Sequence, residues 1–258
     1  MQEYTLNTGR KVPTIGFGTW RLAPDEVAQE AVETALRLGY RVIDTAKLYA
    51  NERGVGQAVR GSRVPRAEIF LTTKVWQDDL GYEPTLAAFD ASLQRLGLDF
   101  VDLYLIHWPA TEARHDSWRA LEKLLQDAKI KAAGVSNYGV KELKQVLSQS
   151  DVVPAVNQIE FHPFNFDEQR PVLEFCQQHD ILVEAYSPIK YLDGQQPVVN
   201  DIADRLERTP QQVVLRWCIQ HGTLPLPRSS SETHMRSNLQ VFDFELTNDD
   251  MKRLDSLS

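Results

Sequence analysis

The chain has 258 residues and a formal net charge of −8, with 42% hydrophobic and 25% charged residues. This is the composition of an ordinary globular protein. No apolar run is long enough to span a bilayer, and an acidic balance without a basic block disfavours non-specific attraction to nucleic acid. Cys176 and Cys218 sit inside amphipathic patterns and read as small buried hydrophobes in a reducing compartment rather than as a disulfide. The N-terminal MQEYTLNTG has no apolar signal core, so the expected location is cytoplasmic. The expected partners are small molecules only, with neither membrane nor nucleic acid, and the expected state is a monomer.

In chain order, YTLNTGRKVP reads as a hairpin turning at Asn7-Thr8-Gly9. TIGFGTW, Thr14 to Trp20, is a glycine-broken apolar strand. Pro24 to Leu38 follows as a helix with Val27, Ala31, Ala35 and Leu38 on one face and Gly39 as its stop. A rhythm then sets in. The strand at Val42-Ile43 precedes a helix near Glu52–Val59, and IFLTTKV precedes one carrying Leu86, Phe89, Leu93 and Leu96. VDLYLIHW precedes a helix with Trp118, Leu121 and Leu125, and KAAGVSN one with Val140, Leu143 and Leu147. AVNQIEF precedes a helix with Pro171 near its start, then Val172 and Phe175. ILVEAYS leads through a longer polar loop to a helix opening at Thr209-Pro210, a good cap followed by a good first residue. TLPLPRS is the last strand, with a helix near Glu232–Gln240 and a short terminal helix in TNDDMKRLDSL.

Eight strands, each followed by a helix and with no composition shift between them, imply a parallel α/β architecture. A (β/α)8 TIM barrel with an N-terminal hairpin, one domain over residues 1–258, accounts for the count and the length. An open doubly wound sheet would call for a GxGxxG turn after an early strand, and the sequence has none.

In such a barrel, function lies at the carboxyl ends of the strands. The residues there are Thr19 and Trp20, Asp44 and Tyr49, Lys74, His107 and Trp108, Ser136 and Asn137, Gln158, Tyr186 and Ser187, and Arg228 and Ser229. Singly, each has an ordinary structural explanation, such as an Asp44–Lys74 ion pair or a core histidine. Jointly, ionisable groups of complementary type recur at one level on successive strands. A tyrosine, with an unperturbed pKa of about 10, exchanges protons near neutrality only beside a positive group. Lys74 is that group and Asp44 would hold it charged. His107 is placed to donate to a carbonyl oxygen while Tyr49 protonates the oxyanion as it forms. Side chains cannot supply the hydride that completes a carbonyl reduction, so a nicotinamide cofactor is implied. The amide-binding Ser136, Asn137 and Gln158, with the ring of Tyr186, suit a nicotinamide.

IDTAKLYANERGVG, TTKVW, LIHWP, GVSNY, VNQIEFHP and AYSP, running from LNTG and GFGTW to VFDFEL, resemble the aldo-keto reductase superfamily over essentially the whole chain. The style is that of the compact bacterial members similar to prostaglandin F synthase and 2,5-diketo-gluconate reductase. The resemblance implies a catalytic set of Asp44, Tyr49, Lys74 and His107. It implies nicotinamide contacts at Ser136, Asn137, Gln158 and Tyr186, and an adenosine phosphate clamp at Arg228, Ser229 and Ser231 with Asn238 near the adenine. The cofactor set extends to Thr19, Trp20, Asp44, Ser187, Pro188, Ile189, Ser230 and His234. The substrate set is Trp20, Tyr49, Trp76, His107 and Trp108. NADPH is the expected cofactor, bound first, with NADH as a second choice.

The chain departs from that pattern in two respects. The sequence stops at Ser258, directly after the short terminal helix, where many relatives continue into a loop over the substrate site, and the segment after His107 is short. An open site walled by Trp20, Trp76, Trp108 and Tyr191 is therefore expected, with a broad substrate range. His234 stands where an arginine is frequent, and histidine as a residue type is mostly neutral at pH 7, which loosens the expected preference for NADPH. Two other readings remain open. One is a Schiff-base lyase using Lys74, and the other is a cofactor-holding regulatory protein of the same fold. A metal enzyme is disfavoured because the six histidines show no HExxH or comparable spacing.

Overall fold

The computed structural model describes every residue except Met1, Asp193 and Gln195. Strands β1 (Glu3–Thr5) and β2 (Lys11–Pro13) form the expected antiparallel hairpin. The remaining strands form one parallel sheet in sequence order: β3 (Phe17–Gly18), β4 (Val42–Asp44), β5 (Phe70–Val75), β6 (Val101–Ile106), β7 (Ile130–Ser136), β8 (Val156–Glu160), β9 (Leu182–Tyr186) and β10 (Leu224–Leu226). Gly16 and Gly18 donate backbone hydrogen bonds to the carbonyls of Pro225 and Pro227 at 3.0 and 3.1 Å, joining the first strand to the last. The result is a (β/α)8 barrel.

That seam explains why β3 and β10 are shorter than the sequence suggests. Prolines have no N–H, so Pro225 and Pro227 accept from β3 and cannot donate back. The approach is also close. A Cβ on Gly18 would stand 3.0 Å from the Leu226 carbonyl oxygen, so glycine is what lets the two edges meet.

Period-two alternation divides each strand between two cores. Ile43, Leu71, Tyr104, Ile106, Val135, Ile159, Val183 and Ala185 face the helices and belong to the large outer core. Val42, Phe70, Leu103, Leu105, Ala132, Val156, Leu224 and Leu226 point into the barrel and form the inner one. Leu6 and Val12 of the hairpin join the inner core. The Tyr4 hydroxyl bonds to the carbonyls of Ile219 and Thr223, and Asn7 to that of Pro154, so the hairpin closes the amino-terminal end.

The helices follow the expected order: α1 (Glu26–Leu38), α2 (Glu52–Gly61), α3 (Tyr82–Leu96), α4 (Arg114–Gln126), α5 (Val140–Gln149), α6 (Phe166–Gln178), α7 (Pro197–Leu206), α8 (Pro210–Gln220), α9 (Glu232–Asn238) and α10 (Asn248–Asp255). α1 opens two residues after Pro24, and Pro171 lies inside α6 rather than near its start. Thr209 and Gln212 form the capping box of α8 with Pro210 in the first turn, as the sequence signals. The stretch read as a polar loop before α8 contains α7, and its part at Asp193 and Gln195 lies outside the described residues. Pro197 opens α7, and Val199, Ile202 and Ala203 are buried on one narrow face. No helix among the described residues is long and apolar enough to cross a membrane.

Candidate active site

At the carboxyl ends of the strands the inward positions turn from apolar to polar, continuing the same alternation. Asp44 follows Val42, Lys74 follows Thr72, and Gln158 and Glu184 follow Val156 and Leu182. All four of these polar side chains are buried. Lys74, with none of its surface exposed, sends Nζ to Asp44 at 2.8 Å, the Thr45 carbonyl at 3.0 Å and the Tyr49 hydroxyl at 3.1 Å. Three oxygen partners saturate an ammonium group.

Tyr49 ends a 3-10 turn, Lys47–Tyr49, that reverses at Ala50 in the left-handed region with φ 55°. Lys47 is ion-paired with Asp79, tying this turn to the loop after β5. Asn51, fully buried, donates to the Thr19 carbonyl and accepts from the Thr45 hydroxyl, which fixes the β3 and β4 loops to each other. The Tyr49 ring is 4.8 Å from Trp20 and 5.7 Å, edge-on, from His107, which itself meets Trp76 at 5.1 Å.

Burial raises the pKa of Tyr49 and the Asp44 carboxylate adds to this, while Lys74 pulls it down; the net direction is upward. This corrects the expectation that Lys74 would dominate. In the free site the phenol keeps its proton, which suits an acid. Burial pulls Lys74 down, but Asp44 and Tyr49 outweigh it and the ammonium stays charged. A charged, enclosed amine is a poor nucleophile, so the geometry does not favour the Schiff-base reading. His107 is lowered to about 3 by burial and by Lys74, so its ring is neutral. Its Nδ1 is buried without a partner among the described residues and the ring lines the cavity.

The opposite wall comes from β7 to β9. Asn137, at φ 62°, donates from Nδ2 to the His107 carbonyl and to Ser136 Oγ, both at 3.0 Å, and accepts from the Tyr186 hydroxyl at 2.9 Å. Ser136 donates to the Gln158 carbonyl at 2.9 Å. Gln158 Nε2 donates to Asp44 and to Glu184, each at 2.8 Å. Asp44 thus joins the lysine–tyrosine pair to the amide wall.

These walls enclose a cavity of about 470 Å³, within the range of small-molecule sites. Of the expected site residues, Trp20, Asp44, Tyr49, His107, Trp108, Asn137, Gln158, Tyr186, Ser187, Pro188, Ile189 and Arg228 line it. Trp20 and Trp108 are 43% and 41% exposed, so the mouth is open and aromatic. Lys74 and Ser136 stand behind this surface and support it. Thr19 is fully buried, with its hydroxyl on the Asp44 carbonyl, and supports β4 rather than lining the cavity. Trp76 reaches the site through its contact with His107.

Ser229, Ser230, Ser231, His234 and Asn238 lie on the loop after β10 and on α9. The Ser231 N–H bonds to Ser229 Oγ at 3.0 Å, Ser231 caps α9, and Asn238 is buried at its end. Arg228 is exposed and has no carboxylate partner among the described residues. Arg21, Leu48, Glu160 and Lys190 also line the cavity and escaped the sequence reading. Arg21 and Lys190 each follow an expected contact, Trp20 and Ile189, and that adjacency is the signal that would have found them. No group of three or more histidine, cysteine or carboxylate side chains suited to a metal occurs among the described residues.

Comparison with known proteins decides the family. The sequence model described as "Aldo/keto reductase family" matches residues 14–258. The chain belongs to the aldo/keto reductase family. It is 44% identical over 256 residues to the glyoxal reductase of Bacillus subtilis, covering 98% of this chain and 91% of that one. An aldo/keto reductase from Brucella melitensis superposes with a TM-score of 0.96 at 41% identity, covering 100% of this chain and 98% of its own. A Bombyx mori aldo-keto reductase in complex with NADP superposes with a TM-score of 0.92 at 31% identity over 99% of this chain and 92% of its own. This aldo/keto reductase is an NAD(P)H-dependent oxidoreductase acting on carbonyl and alcohol groups.

Proposed function

We propose that the protein reduces small aldehydes and ketones to alcohols with NADPH, taking the proton from Tyr49. The observation that carries this reading is the Lys74 ammonium, 3.1 Å from the Tyr49 hydroxyl and 2.8 Å from Asp44, behind the surface of a cavity walled by Tyr49, His107 and aromatic rings.

The donor set fits a nicotinamide cofactor. Gln158 offers an amide, Tyr186 offers a half-buried ring, and Arg228 is an exposed guanidinium of the planar kind that grips phosphate. When bound, the cofactor supplies hydride. The remaining steps belong to the chain's own groups. Neutral His107 donates a hydrogen bond to the substrate carbonyl oxygen and orients it beside Tyr49. As negative charge grows on that oxygen, Tyr49 Oη gives up its proton to it. The phenolate left behind faces the Lys74 ammonium, and Asp44 keeps that ammonium aimed. The aromatic mouth at Trp20 and Trp108 suits apolar substituents of varied shape. The B. subtilis relative is named for glyoxal, one small dicarbonyl.

NADPH preference is ascribed to Arg228 and the serines of the last loop, with NADH used less well, and the active unit to the monomer. The test is NADPH and NADH oxidation by the wild type against a panel of aldehydes, ketones, diketones and keto-sugars. Turnover of no carbonyl compound with either cofactor would overturn the reading.

A further inference from the structure

Glu184 is a buried titratable side chain that the proposed chemistry does not use. It is 1% exposed and stands in register with Gln158 across the β8–β9 pair. Gln158 Nε2 donates to Glu184 Oε2 at 2.8 Å and to Asp44 Oδ1 at 2.8 Å. A primary amide carries two N–H donors and one carbonyl acceptor. With both donors engaged by carboxyl groups, the amide oxygen is the atom Gln158 retains for the cavity it lines. Reversing the amide would set that oxygen against the Asp44 carboxylate.

Filling space does not explain the residue. On the other side of β9, Leu224 is in register with Glu184 and meets the same demand with an aliphatic side chain. Glu184 Oε1 is buried without a partner among the described residues, a cost that an apolar residue would avoid. Burial and the nearby Asp44 carboxylate raise the Glu184 carboxyl to about 7, opposed by Gln158 and Lys74. In its protonated form Glu184 lets two carboxyl groups share one amide without mutual repulsion.

We propose that Glu184 is a positioning residue which, with Asp44, locks the Gln158 amide so that its oxygen faces the cavity and accepts from a ligand N–H, the carboxamide of a nicotinamide. This rests on the reading of Gln158 as a cofactor contact.

The experiment compares Glu184→Met, Glu184→Gln, Gln158→Met and the Glu184→Met/Gln158→Met double variant with the wild type. NADPH dissociation constants, kcat and Tm are measured for each. Hydrogen exchange of the Gln158 side-chain NH2 is followed by NMR in cofactor-free protein. Glu184→Met weakens NADPH about fivefold to tenfold with kcat within about twofold, and speeds exchange of that NH2 about tenfold. Glu184→Gln, whose carbonyl still accepts, stays within about twofold in both readouts, and Glu184→Met adds less than about twofold to Gln158→Met.

A merely structural role would lower Tm and weaken NADPH alike with or without Gln158, and that result overturns the proposal. Unchanged NH2 exchange in Glu184→Met overturns it too. A Gln158→Met variant that binds NADPH as well as the wild type overturns instead the cofactor reading of Gln158, and with it the ligand named here. Should Glu184→Met fail to fold, Glu184→Leu replaces it.

Discussion

At the scale of single residues, the site rests on charges brought inside and neutralised in pairs. Lys74 is the clearest case, because its ammonium is saturated by Asp44, Thr45 and Tyr49. Lys74→Met removes the group that lowers the Tyr49 pKa, so the phenol becomes a weaker acid and turnover falls on the order of 10²-fold or more, measured as kcat. Asp44→Asn leaves the lysine in place and should cost less. An equal loss in the two variants would mean that Asp44 acts directly. Glu184 gives a prediction about stability. Its carboxyl is raised from an ordinary 4.5 to about 7, so between those values the folded chain holds a proton that the unfolded chain has released. Stability therefore falls as pH rises through that window. The advantage of the wild type over Glu184→Gln should shrink by on the order of 3 kcal/mol from pH 4.5 to 8, read from urea unfolding. A difference independent of pH would place Glu184 in a more polar setting. The sequence showed the strand-end residues because each strand ends in chemically unusual types. Glu184 is not legible in the sequence because it sits two residues before the end of β9, and the inward alternation that exposes its role needs the barrel register.

At the scale of elements, the seams between neighbours decide how close the barrel and helices can approach. α2 touches the end of α3 at Gly56, where a Cβ would stand 2.0 Å from the Leu96 carbonyl oxygen. Gly56→Ala must push the helices apart, so it should destabilise by roughly 1–3 kcal/mol, seen as a lowered Tm, although alanine is the better helix former. An unchanged or raised Tm would show that this contact can relax. The strand–helix alternation was legible because apolar runs and helical spacing alternate without interruption. α7 was not, since it is only ten residues long and its fully buried positions, Val199, Ile202 and Ala203, are interleaved with Asn200, Asp201, Asp204 and Arg205. Arg205 and Asp250 pair across to α10, a contact no local pattern announces. The shortness of β3 and β10 was equally hidden, because it arises from two prolines meeting two glycines across the seam.

At the scale of the whole molecule, a chain of net charge −8 must bind a polyanionic cofactor through local cations. Arg228 and Arg21 line the cavity, while Arg236 is occupied by Glu232 on α9. His234 is exposed on α9, so His234→Arg adds a charge that water screens. NADPH should tighten by less than about 1 kcal/mol with little change for NADH, measured as the two dissociation constants. A gain beyond that would place position 234 directly on the 2′-phosphate, and a loss would exclude it from the clamp.

The central claim, that Tyr49 delivers the proton in an NADPH-dependent carbonyl reduction, is tested most directly by comparing wild type with Tyr49→Phe. NADPH oxidation with a small aldehyde is followed by its absorbance, alongside NADPH affinity by fluorescence titration. The change removes one hydroxyl and leaves the ring between Trp20 and His107. The account predicts a fall in kcat/KM of roughly 10²–10⁴-fold with an NADPH dissociation constant within about threefold of wild type. Near-wild-type turnover by Tyr49→Phe would contradict it.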